Sequence, residues 1–496
     1  MFLKDLTFNL WRSILARMVV IEKFFRKLCN PFLVSVSMGL LAGCSTIDSG
    51  ISKKDDVFWD PPAKESQAKQ RQLQKYSNTS FAPNSSDSAL DLPMLLDVAF
   101  ENNPSTKKSW QAARIAAAQS GKAASIFFPK ITMSGVTEKS ETNTLGSKNS
   151  ATAFYPAIEI QYSIFQFGGH SKYANAARQL LYAANYQHNR ALQTLAYEVQ
   201  RCYFALDSAE ETVEASQRNL DDAFVAYDSA FIKNQAGLSN IQDFLQAKAN
   251  RSRAEFDLEN AKAHVELARA NLAVAIGVPV SEAIRIVQSN DENDIGDLDI
   301  DIQDLIAGAM QMRQDMLAQY SVVTAKKDMT WTSSSKLLPE LVVGGAGNRK
   351  WLRGEDTHFN NFNIYASLRW TVFDGFNNMY DVIEARAALR SAEQELKRMQ
   401  LAIASDVWAK YYAFKSAIKQ LSAARNYEQS AQESFDSIII AYKEGLSSFG
   451  DLMAAQTQLA SARKQTVVSK NNLAVAVIEL AYAVGIVNFE SKNNIQ

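Results

Sequence analysis

The sequence predicts a mainly α-helical protein that carries an internal duplication and a small β portion, which can form a barrel only when several chains assemble. Three observations support this fold class: a long helical segment with heptad spacing occurs twice, the same order of elements precedes each copy, and each half contains two amphipathic strands. A chain of 496 residues would ordinarily suggest about three domains of typical size. Because of the duplication, we expect two repeats instead of three independent domains.

Two glycine-bounded segments define the duplication. Gly237-Leu238-Ser239 opens a segment that closes at Gly277, and Gly445-Leu446-Ser447 opens one that closes at Gly485, so both pairs of glycines are offset by 208 positions (445 − 237 and 485 − 277). Within each segment small and large residues recur at alternating spacings of three and four, which predicts a helix with a heptad seam. The seam positions are Phe244, Ala247, Arg251, Ala254, Leu258, Ala261, Val265, Ala268, Leu272 and Ala275, and their counterparts Leu452, Ala455, Leu459, Ala462, Thr466, Ser469, Leu473, Ala476, Leu480 and Ala483.

Charge and composition exclude several classes of function. The net charge is −1, from 52 basic and 53 acidic residues, so no nucleic-acid partner is indicated. No phosphate loop, zinc-protease helix or nucleophile elbow is present, and the sequence therefore predicts no enzyme, no metal site and no cofactor. The four histidines are scattered without metal-ligand spacing: His170, His188, His264 and His358.

The N-terminal region has the features of a secretory signal. No apolar run reaches the roughly 20 residues of a transmembrane helix, and the run from Pro31 to Gly43 has the length of a signal core that follows basic residues. It ends in Leu41-Ala42-Gly43-Cys44, which resembles a bacterial lipobox and implies that Cys44 is the lipidated first residue of the mature chain. An ordinary signal with a chance cysteine is the alternative. Residues 1–43 are then the signal peptide, with Met1 or Met18 as the start, and the polar residues 44–89 are an extended arm.

The first repeat is predicted to cover residues 90–280. A short helix follows Leu90-Asp91-Leu92-Pro93, and a second runs from Pro104 to about Ser125. Pro129 then introduces a strand, a polar loop covers 138–149, and a second strand follows. In that strand one face carries apolar side chains, and from Gly169 to about Lys233 the chain has the pattern of one unbroken helix. The apolar face consists of Ile158, Ile160, Tyr162 and Ile164.

The second repeat is predicted to cover residues 301–487, after a linker at 281–300 and before a tail at 488–496. Helices are expected from Ile302 to Met312 and from about Arg313, followed by a Leu338-Pro339 break, a polar loop at 348–361 and a helix to Lys443. The strand after Phe362 places Ile364, Ala366, Leu368, Trp370 and Val372 on one face, and Asn363, Tyr365, Ser367, Arg369 and Thr371 on the other.

The alternation in these strands is typical of a transmembrane barrel with lipid on one side and water on the other. A half-buried strand of a soluble sheet would give the same pattern. Four strands are too few to close a barrel, and an open edge in lipid would leave backbone groups unpaired. If the strands enter a membrane, several chains must contribute, and three chains of four strands make twelve.

The whole pattern from Leu90 to Val487 resembles the TolC family of outer-membrane efflux proteins. The resemblance rests on Leu90-Asp91-Leu92-Pro93, the two proline-led strand starts, Phe373-Asp374-Gly375 and the paired Gly-Leu-Ser turns, all duplicated in order. It implies a homotrimer with a twelve-stranded outer-membrane β-barrel, four strands per chain, that continues into a long periplasmic α-helical barrel. It also implies a passive exit duct for an inner-membrane transporter, which a periplasmic adaptor protein joins to the channel. A non-conducting coiled-coil envelope lipoprotein that acts as a scaffold is the alternative function.

The resemblance also implies where the functional residues lie. The family's helix tips dock the adaptor and close the periplasmic end, which assigns docking to the two tips and gating to nearby residues. The docking residues are Gly237, Leu238, Ser239, Gly445, Leu446 and Ser447, and the gate residues are Asp243, Asp451 and Tyr442.

Local structure offers a simpler interpretation of the same residues. Gly237 and Gly445 stand where helices end in a left-handed residue, and Ser239 and Ser447 stand where a helix N-cap is expected, Ser239 with a capping box to Gln242. Asp243 and Asp451 in a first helical turn would offset the helix macrodipole. Tyr442 could equally be a packing tyrosine. The sequence identifies neither the transported substrate nor the class of transporter.

Overall fold

The computed structural model describes residues 90–144, 147–280, 284–287, 301–352 and 358–486. The predicted signal peptide, Cys44, the N-terminal arm, most of the linker and the C-terminal tail lie outside these residues. The described chain forms two compact units. One is a sheet unit of Pro129–Tyr162 and Val343–Ala366, and the other is a helical unit that contains the remaining described residues.

The first repeat contributes four helices to the helical unit. They are α1 (Leu92–Asn102), α2 (Pro104–Ala124), α3 (Gly169–Gln235) and α4 (Ile241–Ile276). The starts of the short helices follow capping rules: the Asp91 side chain accepts the Met94 N–H at 3.0 Å, and the Asn103 side chain accepts the Ser105 N–H at 2.8 Å. A turn of 3₁₀ helix, Ser125–Phe127, ends the segment before Pro129. All four helices predicted for this repeat are confirmed. Where a helix end was predicted, it lies within about two residues of the observed end.

The second repeat has the same four helices with matching lengths. They are α5 (Ile302–Met312), α6 (Gln314–Ser335), α7 (Asn377–Lys443) and α8 (Phe449–Val484). Both α3 and α7 have 67 residues, and both α4 and α8 have 36. Each start and each end of a long helix in the first repeat lies 208 positions before its counterpart in the second. The duplication is therefore in register throughout the long hairpins.

The seam residues lie in the helical core as the heptad pattern predicts. The largest buried cluster forms where α1 and the end of α4 pack on α3, and it includes Leu95, Leu195, Val199, Leu206, Leu272 and Ile276. A second cluster lies near the turns that follow α3 and α7, where Leu452 and Ala462 are fully buried against alanines of α3. Small seam residues therefore let these helices approach closely. Among the described helices, α8 is by length and composition apolar enough to cross a membrane, a test that core helices also pass.

Four strands form one antiparallel sheet in the order β1-β2-β3-β4. They are β1 (Lys130–Thr144), β2 (Ser147–Phe165), β3 (Glu340–Leu352) and β4 (His358–Arg369). The prediction of polar loops at 138–149 and 348–361 was wrong for most of their length, because β1 pairs with β2 without a break from Lys130↔Gln161 to Thr144↔Ser147. Cross-strand pairing depends on backbone groups, so polar side chains do not end it.

The predicted strand from Phe362 to Val372 also needs a correction. β4 ends at Arg369, so Trp370 and Val372 lie beyond the sheet, and Leu368 is one residue from the strand end instead of central. Ile364 is the apolar residue nearest the middle of β4. Apolar side chains on the two edge strands are exposed: Ile131 (59%), Met133 (63%), Ile364 (36%) and Leu368 (70%).

Candidate functional site: the paired helix turns

The two interhelical turns have the same backbone geometry. Gly237 has φ of 70° and Gly445 has φ of 80°, the left-handed conformation that glycine adopts without strain. At the first turn Leu238 N donates to Lys233 O at 2.9 Å and Gly237 N donates to Asn234 O at 3.0 Å. The second turn repeats the pair, with Leu446 N on Ala441 O at 2.8 Å and Gly445 N on Tyr442 O at 3.1 Å. Both are Schellman motifs, as the predicted helix-ending role of the glycines requires.

The predicted N-caps Ser239 and Ser447 are each one residue too early. Asn240 caps α4, with its side chain accepting the Gln242 N–H at 3.4 Å, and Ser448 caps α8. The Ser239 hydroxyl is instead buried without a hydrogen-bond partner among the described residues. The sequence offered serine and asparagine in adjacent positions, and both are good N-caps, so spacing alone could not choose between them.

Asp451 forms a complete capping box with Ser448. Its Oδ2 accepts from Ser448 N at 3.1 Å, from Ser448 Oγ at 2.7 Å and from Ser447 Oγ at 3.2 Å, while Asp451 N donates back to Ser448 Oγ at 3.2 Å. The hydrogen bonds from the Ser448 side chain, the Ser448 backbone and Ser447 lower the pKa of this exposed carboxyl. Asp451 is therefore a fixed negative charge at neutral pH, held at the start of α8.

Tyr442 lies in the hydrophobic cluster beside the turns, with 3% of its surface exposed. Its ring packs edge-on against Phe449 at 5.8 Å, and the Lys233 ammonium lies 4.3 Å from the ring centroid. The Tyr442 hydroxyl is buried and has no hydrogen-bond partner among the described residues. Burial, and then the nearby negative charge of Asp243, raise the pKa of Tyr442, so the phenol stays neutral.

Lys233 also belongs to this site, although no pattern in the sequence predicts it. It lies in the last turn of α3, and its ammonium donates to the Tyr442 carbonyl in the last turn of α7. One positive charge thus lies at the negative ends of two helix dipoles and binds the two turns together. A lysine in the last turn of a helix is common, and its reach to the other repeat required the fold.

Two of the three predicted gate residues interact with each other, and the third is bonded elsewhere. Asp243 is half-buried in the first turn of α4 and acts on Tyr442 through its charge. Asp451 forms hydrogen bonds with the start of its own helix.

The two turn leucines are among the most exposed large apolar residues of the described chain, Leu238 at 77% and Leu446 at 83%. Within the described residues, no group of three or more His, Cys, Asp and Glu side chains could hold a metal ion.

Comparisons with known proteins match both repeats of the chain. Residues 95–278 and 305–486 match the family described as Outer membrane efflux protein, one match in each repeat. The chain is 23% identical to Protein CyaE of Bordetella pertussis over 472 residues, which covers 91% of this chain and 95% of that protein. It is 22% identical to Outer membrane efflux protein BepC of Brucella suis, covering 78% and 83% of the two chains. The fold superposes on the Campylobacter jejuni CmeC outer membrane channel with a TM-score of 0.71 at 20% identity, covering 79% of this chain and 85% of that one.

Proposed function

Because the chain belongs to the outer membrane efflux protein family, we propose that it is the passive outer-membrane exit duct of a tripartite efflux or type I secretion system. The observation that carries the proposal is the four-stranded sheet with exposed apolar side chains and two edge strands, β1 and β4. An open edge is not stable in lipid, because its N–H and C=O groups lack partners there. A homotrimer removes every edge by pairing β4 of one copy with β1 of the next.

Aromatic side chains near the strand ends support the membrane placement. Trp370 follows β4 and is 58% exposed, yet its Nε1 donates to Leu337 O at 3.1 Å; Trp331 is 55% exposed and donates to Phe167 O at 3.2 Å. Amphipathic rings of this kind are enriched where lipid meets water. The neighbouring exposed aromatic residues are Phe127, Phe128, Phe165, Phe167, Phe373 and Phe376.

The turns fit the docking role that we assign to them. Leu238 and Leu446 project from two turns of identical geometry, and exposed leucines on rigid turns suit contact with the apolar face of another protein's helices. Gly237 and Gly445 set the turn backbone, while Ser239 and Ser447 flank it. We assign this surface to a periplasmic adaptor protein that joins the duct to an inner-membrane transporter.

For the periplasmic gate we assign Asp243, Asp451 and Tyr442. Three-fold symmetry would bring three copies of each carboxylate toward one axis, and such a ring attracts cations in a narrow passage. The capping box keeps Asp451 ionised even where an ordinary aspartate, with a pKa of about 3.9, begins to protonate. The Tyr442 hydroxyl has no hydrogen-bond partner among the described residues, so it is available to form one when the turns move.

Replacing Asp451 by Ala should reduce the cation selectivity of the channel and relieve block by a trivalent cation added from the periplasmic side. The reason is the loss of three fixed charges near the axis, with the fold of the trimer retained. Single-channel recording in planar bilayers measures both quantities. Ser448→Ala is the control, because it removes the N-cap hydroxyl and keeps the charge. Selectivity and block that stay unchanged in Asp451→Ala would remove Asp451 from the gate.

We also propose that the mature chain begins at a lipidated Cys44. The support is the complete Leu41-Ala42-Gly43-Cys44 ending of the signal. Replacing Cys44 by Ser should abolish incorporation of radiolabelled palmitate, whereas Cys202→Ser should leave it unchanged, since Cys202 is a half-buried free thiol within α3. Labelling that persists in the Cys44→Ser protein would contradict the assignment. Insertion of the barrel should survive either change, because a lipid chain is only an added tether.

A further inference from the structure

A long groove lies along α3 between α4 and α8, with a volume of about 570 Å³. Its floor consists of short α3 side chains, among them Ala215 and Ser216, and its walls are residues of α4 and α8. From Asn250 to His264 of α4 the groove is about 21 Å long, at 1.5 Å per residue. We call this groove the slot. Its volume is in the range of pockets that hold drug-sized molecules.

One end of the slot is closed by a contact between its two walls. Asn250 Nδ2 of α4 donates to Gln456 Oε1 of α8 at 2.9 Å, and Gln456 is 6% exposed. This is the end nearest the turns, because α4 starts at Ile241 and α8 at Phe449. The slot is therefore bounded at one end and open along the side where its wall residues are exposed.

The walls of the slot carry cationic side chains without partners. Arg253 and His264 line the α4 wall and Lys464 lines the α8 wall, and all three are exposed. Within the described part of the chain, none of the three has a side-chain hydrogen bond or an ion pair. Asp257 is the one acid among the described residues that line the slot. With Arg253 and Lys464 against Asp257, the walls have a net positive charge.

Beyond the other end of the slot, α3 supplies carboxylates to the cations of both walls. Glu211 pairs with Lys470 of α8, and Glu210 lies 3.7 Å from Arg269 of α4. Within the slot, α3 has short residues such as Ala215 in place of these acids. The same two helices thus present paired cations outside the slot and unpaired cations inside it. This is the arrangement of a site for an anion that comes from solution.

The slot and α1 lie on opposite sides of the α3–α4 hairpin. Charged slot residues of α4 precede seam residues by one position, as Asp257 precedes Leu258. Ala273, which instead follows the seam residue Leu272, packs in the cluster that contains Leu95 of α1. Because each residue turns a helix by about 100°, positions before and after a seam residue face opposite sides.

This placement decides which way the slot faces in the proposed duct, and the step rests on that proposed function. α1 is an added layer on the hairpin, and the chain before it pairs with a second segment: Leu90 N donates to Arg285 O at 2.9 Å, and Val287 N donates to Leu90 O at 3.1 Å. A layer of this kind on the inside would fill the passage. α1 therefore lies outside, and the slot faces the passage.

We propose that the slot binds elongated organic anions as they move through the duct. Arg253 and Lys464 hold the carboxylate or sulfonate groups of the ligand, and the imidazole of His264 donates a further hydrogen bond. The alanines of the slot contact the carbon skeleton. Lys464 is 13 residues from Asp451, about 20 Å along α8, so the slot and the acidic gate act at different levels of the passage.

Pyranine, a fluorescent pyrene that carries three sulfonate groups, is a probe for the slot. Its fluorescence anisotropy should rise to saturation as the detergent-purified full chain is added at low ionic strength. Replacing Arg253 and Lys464 together by Gln should weaken binding about tenfold or more, because charge-assisted hydrogen bonds are lost. Ser461→Phe should also weaken it, since Ser461 is an exposed residue of the α8 wall and a phenyl ring there fills the slot without changing its charge.

The matched control removes two cations from the other side of α4. Lys248 and Lys262 each follow a seam residue and are exposed. Lys248→Gln with Lys262→Gln changes the net charge by the same amount and should leave pyranine binding unchanged. All the substituted residues are exposed, so circular dichroism should show the same helix content in every variant. Equal weakening by the lysine pair, or full binding by Arg253→Gln with Lys464→Gln, overturns the slot.

Recordings in planar bilayers test whether the slot faces the passage. Pyranine should reduce the single-channel current of the unaltered protein and leave the current of the Arg253→Gln, Lys464→Gln protein unchanged. Binding in solution with no effect on current overturns the role of the slot in transport and leaves the duct standing. A protein that binds pyranine through Arg253 and Lys464 but conducts no ions overturns the duct and leaves the binding site standing.

Discussion

Replacing Gly277 by Ala should destabilise the folded protein much more than replacing Gly237 by Ala. Both glycines have left-handed φ values, 79° and 70°, which cost alanine about 1–2 kcal/mol each. At Gly277 an added Cβ would also lie 2.9 Å from Asn103 Cα and 3.0 Å from Asn102 C, in the backbone that joins α1 to α2. At Gly237 nothing lies within 4 Å of the added atom. With overpacking of roughly 1–3 kcal/mol, Gly277→Ala should cost about 2–5 kcal/mol in total.

Substitution by asparagine distinguishes backbone strain from overpacking, because asparagine tolerates the left-handed conformation but has a larger side chain than alanine. Gly237→Asn should therefore restore much of the stability that Gly237→Ala loses, while Gly277→Asn should be no better than Gly277→Ala. Gly485 provides an intermediate case, since its added Cβ would meet Arg313 at 3.2 Å. Thermal unfolding of the detergent-solubilised variants gives the order. Equal losses at Gly277 and Gly237 would show that the α1–α2 junction is not packed against the end of α4.

Replacing Ile364 by Lys should reduce the stability of the membrane-inserted protein by about 2–4 kcal/mol, the range for a charge at the middle of a barrel's lipid face. Ile364 lies near the centre of β4, on the same face as Leu368. Leu368→Lys should cost only about 0–1 kcal/mol, because that residue lies next to the strand end, where a lysine can reach the interface. Unfolding by denaturant in lipid vesicles measures the difference.

The control for Ile364 is its neighbour on the opposite face. Asn363 is exposed, and its Oδ1 accepts from Ala346 N at 3.1 Å across the hairpin. Asn363→Lys should cost no more than the loss of that hydrogen bond, about 0.5–1.5 kcal/mol, because the water-filled lumen of the proposed barrel would accept a charge. If Asn363→Lys and Ile364→Lys have equal effects, the two faces of β4 do not separate lipid from water.

Most of the helical architecture could be predicted from the sequence because the signals for it are local. Gly277 and Gly485 end their helices, Asn103-Pro104 begins one, and the heptad seams between them identify two helices with the same register. The strands were less predictable. Their polar outer parts, such as Glu138 to Thr144, contain no hydrophobic alternation, and only the ladder to β2 makes them strand.

The candidate site shows a similar division. The turn glycines and the acidic first turns of α4 and α8 were predicted from spacing, because capping chemistry involves neighbouring residues. The contact of Lys233 with Tyr442, 209 residues away, depends on how the two hairpins pack, and no local pattern encodes it. The same is true of the buried Arg463 and its partners on α3.

The proposed barrel and gate both depend on the number of chains in the membrane-inserted protein. Each chain supplies four strands, and its two edge strands need partners. Light scattering with separate detection of protein and detergent gives the protein mass of the purified complex. We predict three times the mass of one mature chain, in a single species that persists on dilution. A monodisperse monomer that retains the helical and strand content of the fold would contradict both the barrel and the gate.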